Sequence, residues 1–154
     1  MTMSGFTDEH FSIKWMEEVD GVDYWASSSF RYWIGPIGTG RYVDVPAGFI
    51  TDGASVPRPF WSMIPPWGTY GQAAIVHDYL CETLTVQLAG VPIRITRKEC
   101  DGILLQAMTD LGVPLWKRSV IYGAVRAYAL AANVTQPSGL VQLPTQTQQK
   151  ETPQ

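Results

Sequence analysis

The chain has 154 residues, 45% of them hydrophobic and 16% charged, with a net charge of −3. That is one domain's worth of sequence with enough apolar content for a core, which excludes wholesale disorder. It has no apolar run of the roughly 18 residues a membrane span needs and no basic cluster of nucleic-acid type, so neither a membrane span nor a nucleic-acid groove is expected.

Residues 1–10 have no basic end and no apolar run, so they are expected to be a flexible N-terminus without a cleaved secretory signal. From Phe11 to Ile50 the chain reads as strands. Phe11 to Met16 alternates roughly, the run from Asp23 to Ile34 is rich in aromatics, and Arg41 to Val45 follows as a further strand. Asp20-Gly21 and Gly38-Thr39-Gly40 supply the turns between them. Val56 to Met63 reads as a short helix opened by Pro57 and closed by Pro65-Pro66.

The next helix is predicted over Thr69 to Leu84, where Ala73, Ala74, His77, Leu80, Cys81 and Leu84 recur at helical spacing. Thr85 to Ile95 is expected to hold a short strand pair. Thr96 and Glu99 match a capping box, in which each side chain satisfies the other's backbone N–H, and open a helix running to about Leu111. Gly112 stops it, and Pro114 lies in the first turn of a last helix reaching about Ala132. Gln, Thr and Pro dominate residues 135–154, which read as a disordered tail. The predicted fold is therefore α+β, with an N-terminal antiparallel sheet packed on three to four C-terminal helices and residues 11–134 as a single domain.

Polar residues fall at places where side chains from several elements can meet. Asp52, Ser55 and Arg58 sit at the junction of the strand and helix zones, where Ser55 can equally cap a helix. His77 lies on the apolar face of its helix, and Asp78 flanks that face as a carboxylate that needs a cation or several donors. Asp101 lies in the first turns of the next helix, where the helix dipole also favours it. Asp52, His77, Asp78 and Asp101 would suit one divalent cation (Mg²⁺, Mn²⁺, Ca²⁺ or Zn²⁺), and no organic cofactor is expected. In a second arrangement His77 is a general base held by Asp101 while Asp78 binds the cation. Arg58, with Arg126 as a companion, could bind an anionic substrate or instead pair with these acids in a buried ion network. Trp67 and Tyr70 could rim a substrate pocket, with Ser55 beside them. Cys81 and Cys100 are too few for a disulfide scaffold and read as buried free thiols on two helices.

Taken in order, these motifs resemble a phage and prophage family labelled domain of unknown function 1353. The resemblance rests on Val45 to Arg58, on the turn Pro66-Trp67-Gly68-Thr69-Tyr70, on Ala73 to Leu80, on Asp101 and on Tyr122 to Arg126. Gly53 stands where a bulky residue is frequent, and Cys100 where an alanine is common. The resemblance implies a phage origin and a compact mixed fold, and supplies no reaction. Two functions fit. One is a small phage-encoded, cation-dependent hydrolase with His77, Asp78, Asp101 and Asp52 at its centre. The other is a non-enzymatic virion or host-factor-binding protein, partnered through its strands or tail, in which the Asp/His/Arg set is a structural network. Either would place it in the host cytoplasm or the virion.

Overall fold

A computed structural model describes residues 5–7, 11–51 and 70–137. The strands are β1 (Gly5–Phe6), β2 (Ile13–Val19), β3 (Val22–Ser27), β4 (Phe30–Trp33), β5 (Arg41–Val45) and β6 (Phe49–Thr51). Helix α1 (Gly71–Thr83) follows, then β7 (Thr85–Leu88), β8 (Val91–Arg94), α2 (Arg97–Asp110) and α3 (Leu115–Ala131). The α+β class is as the sequence predicts. The strands form two antiparallel sheets, one ordered β1-β4-β5-β7-β8 and one β2-β3-β6.

Local chemistry explains the partition. Val19 pairs Val22 across Asp20-Gly21, and both loop residues have positive φ (53° and 78°), as a tight two-residue hairpin requires. The aromatic run 23–34 divides at its three serines. Ser27 Oγ donates to the Ser28 carbonyl and Ser28 Oγ accepts from the Ser12 N–H, so hydroxyls add bonds where the ladder ends. The chain then leaves one sheet for the other. The strand pair expected over Thr85 to Ile95 is the β7–β8 hairpin between α1 and α2, and it pairs back onto β5.

The core lies between the five-stranded sheet and the helices. Tyr32, Val43, Val45 and Val86 from the sheet meet Ile75, Leu80, Leu104 and Met108 from α1 and α2. A fully buried Leu80 contributes roughly 1.5–3 kcal/mol over an exposed one. Helix α1 ends at Leu84, which takes the left-handed conformation (φ 44°) that glycine usually supplies. Its side chain is buried, so packing offsets the backbone strain.

Helix α2 starts with the predicted capping box. Thr96 Oγ1 accepts from the Glu99 N–H at 3.2 Å and the Glu99 carboxylate accepts from the Thr96 N–H at 2.8 Å. The Thr96 N–H holds the exposed Glu99 carboxyl below its ordinary 4.5, so this contribution is complete above that pH and fades as pH falls through the lowered value. Thr96→Ala lowers the unfolding free energy by about 1 kcal/mol, read as a shifted urea midpoint at unchanged slope. An unshifted midpoint refutes a stabilising role for the box.

Candidate functional site

The three helices meet at one carboxylate. Asp101 on α2 is fully buried and faces both other helices. From α1, His77 Nε2 lies 2.7 Å from Asp101 Oδ1. From its own helix one turn back, Arg97 Nε donates to the same oxygen at 2.9 Å. From α3, Arg126 Nη1 donates to Oδ2 at 2.7 Å. Two charge-assisted bonds from guanidiniums and one from an imidazole engage both oxygens of this carboxylate.

Burial works to raise the Asp101 carboxyl, but the bonds from His77 and Arg97 hold it below the usual carboxylate range. As an ionised carboxylate it only accepts, so His77 Nε2 carries a proton and Nδ1 is the ring nitrogen left for another partner. Burial is the largest influence on the imidazole and pushes it down. The bond to Asp101, the contact with Cys81 and the charge of Asp78 reverse that and raise His77 to about 9.

Both thiols stand beside this imidazole. Cys81 lies one turn after His77 on α1, and its Sγ is 3.6 Å from Nε2 and 3.8 Å from Nδ1. Cys100 immediately precedes Asp101 on α2, and its Sγ is 3.8 Å from that of Cys81. Both cysteines are free, Cys100 buried and Cys81 half-buried. Contact with Cys100, opposed by burial and helped by His77 and Arg97, lowers the Cys81 thiol, while contact with Cys81 and burial raise the Cys100 thiol. Of the two, Cys81 is the thiol held below its ordinary value.

The expected residues separate into three groups. His77 and Asp101 come together. Asp78 points away from the Asp101 carboxylate, since consecutive helix residues diverge by about 100°: its Oδ2 accepts from Thr51 Oγ1 of β6 at 2.5 Å, while its charge still acts on His77. Tyr70 is buried at the start of α1, not at a rim. Its hydroxyl has no hydrogen-bond partner among the described residues, burial pushes it up to about 12, and Lys117 Nζ lies 5.9 Å from its ring centre. Asp52, Ser55, Arg58 and Trp67 lie outside the described residues. Arg126 pairs with an acid, as the ion-network reading allows.

The described residues that could hold a metal ion are His77, Cys81 and Cys100, whose donor atoms all lie within 4.8 Å of one another. This differs from the expected oxygen-rich set of Asp52, His77, Asp78 and Asp101. Among the described acids, Asp101 is taken up by two arginines and His77, and Asp78 faces Thr51. The cysteines were legible only as buried thiols. The signal that could have raised them is the four-residue spacing of His77 and Cys81, which puts both on one helix face. Arg97 was also missed as a partner of Asp101, although it has the same spacing.

Comparison with known proteins adds family but no chemistry. A family model described as "Protein of unknown function (DUF1353)" matches residues 29–125. The uncharacterized protein y4jT of Sinorhizobium fredii (strain NBRC 101917 / NGR234) is 38% identical over 86 residues. That stretch is 54% of this chain and 23% of the relative, so the chain spans under a quarter of that protein's length. No solved structure matches the chain. Among the described residues no helix is long and apolar enough to cross a membrane.

Proposed function

The chain belongs to the DUF1353 family, and from its own side chains we propose that it is a small bacteriophage-encoded hydrolase acting with one divalent cation beside His77. The observation that supports this reading is the buried His77–Asp101 pair at 2.7 Å, with the Cys81 thiol 3.6 Å from the imidazole and the Cys100 thiol 3.8 Å from that of Cys81. A bound cation would lower the pKa of a water molecule and supply a hydroxide nucleophile. Asp101 fixes the imidazole plane and its tautomer, and Arg97 and Arg126 fix Asp101. In this reading Asp78 and Asp52 bring negative charge to the approach, Arg58 and Ser55 bind an anionic group, and Trp67 faces the substrate. The phage origin rests on the resemblance of the ordered motifs, and the host cytoplasm is where such an enzyme would work.

The test is a screen of peptidoglycan fragments and chromogenic esters with chelator-treated protein, with and without added cation. Turnover is expected only with cation, and His77→Ala lowers kcat/KM by about 10²–10⁴-fold. Turnover that ignores both cation and His77 ends the hydrolase reading.

One observation favours a second reading. Asp101 ties three helices with both oxygens occupied, as a structural ion network would. The protein would then be a virion component or a host-factor binder. It would be found in purified particles, and His77→Ala would lower its melting temperature with no activity to lose.

A further inference from the structure

The geometry points to a zinc site of two thiolates and one imidazole, made by Cys81, Cys100 and His77 Nδ1, with Asp101 as the outer partner of the imidazole. Zinc bonds to sulfur at about 2.3 Å and to imidazole nitrogen at about 2.0–2.1 Å, so a tetrahedral site has edges of about 3.8 Å between sulfurs and about 3.6 Å from sulfur to nitrogen. The two sulfurs are 3.8 Å apart, and Cys81 Sγ is 3.8 Å from His77 Nδ1. Both edges match within a few tenths of an ångström, and the donor atoms of all three residues lie within 4.8 Å of one another.

The tautomer agrees. His77 Nε2–H donates to the Asp101 carboxylate at 2.7 Å, so Nδ1 is the nitrogen that loses its proton and offers its lone pair to the ion. A metal-bound imidazole whose other N–H meets a carboxylate is the usual support for such a ligand. The donor set selects the ion. Two thiolates and an imidazole suit Zn²⁺, whereas Mg²⁺ and Ca²⁺ need oxygen ligands that this cluster does not offer. On binding, the cysteines bond to zinc as thiolates and His77 as a neutral imidazole, and the protons carried by the two sulfurs and by Nδ1 pass to solvent, so charge and atoms balance. Three protein ligands leave the fourth zinc position open to water, on the side where Cys81 is half-buried. The inference rests on the hydrolase reading only in naming its cation, and ion binding is measured without any substrate.

The experiment titrates reduced, chelator-stripped full chain with Co²⁺ and Zn²⁺. Expected are a thiolate-to-cobalt charge-transfer absorption, displacement of that absorption by zinc, and about one zinc per chain by mass spectrometry. Cys100→Ala and Cys81→Ser each abolish the absorption, and circular dichroism shows that each variant keeps its helices. Asp101→Asn keeps the absorption but weakens binding about 10–100-fold. No charge-transfer absorption, or one that survives both cysteine variants, overturns the site. So does quantitative recovery of a Cys81–Cys100 disulfide from the protein as it is made in the cell. Zinc bound through the cysteines with no turnover of any substrate would sink the hydrolase reading and keep the zinc site. Cation-dependent turnover that persists in both cysteine variants would do the reverse.

Discussion

Asp101→Ala lowers the unfolding free energy by about 3–5 kcal/mol. The side chain is wholly buried and carries the bonds from His77, Arg97 and Arg126. Alanine removes three acceptor contacts at once and leaves two guanidiniums and a ring N–H facing each other without a counter-charge. The arginine side chains keep 11% and 18% exposure, so water relieves part of the loss and the lower end of the range is expected. Asp101→Asn keeps the shape but replaces one accepting oxygen with a donor opposite a donor, so it falls between wild type and alanine. The coupling is testable in the same series. With Arg126→Met already in place, Asp101→Ala strands one cation fewer, and the double variant is more stable than the sum of the two single losses. Urea unfolding of the four proteins at one pH measures all of this. An Asp101→Ala loss under 1 kcal/mol would show that the three helices do not depend on this node.

The elements around that node could largely be read in the sequence because they are local. Helical spacing from Ala73 to Leu84, the Thr96–Glu99 pair and the Gly112 stop each act within a few residues. What could not be read depends on contacts across the fold. Cys81 and Cys100 lie 19 residues apart on different helices, and only the packing of α1 on α2 turns two isolated thiols into neighbours. Asp78 acts on His77 through its charge, but its hydrogen bond to Thr51 of β6 depends on helix–sheet packing that the sequence does not display. Leu84 ends α1 without any glycine to announce it. The splitting of the strands into two sheets is set by non-local pairing, as when β7 returns to β5, and no periodicity encodes it. The Asp52, Ser55, Arg58 and Trp67 group lies outside the described residues.

Zinc at 100 times its dissociation constant raises the unfolding free energy by about 2.7 kcal/mol if it binds only the folded chain. For a domain of this size that is a rise of roughly 5–11 °C in melting temperature. Mg²⁺ and Ca²⁺ produce no rise, and Cys100→Ala removes the zinc effect while leaving a fold that melts on its own. The same measurement separates the two roles of Asp101. If it only ties the helices together, Asp101→Asn lowers the melt equally with and without zinc. If it also holds His77 for the ion, zinc binds about 10–100-fold more weakly. At the zinc concentration that gives wild type about 2.7 kcal/mol, the variant then gains only about 0.4–1.4 kcal/mol. A full zinc increment in Asp101→Asn would confine Asp101 to the helix junction, and a full increment in Cys100→Ala would move the ion away from the thiols altogether.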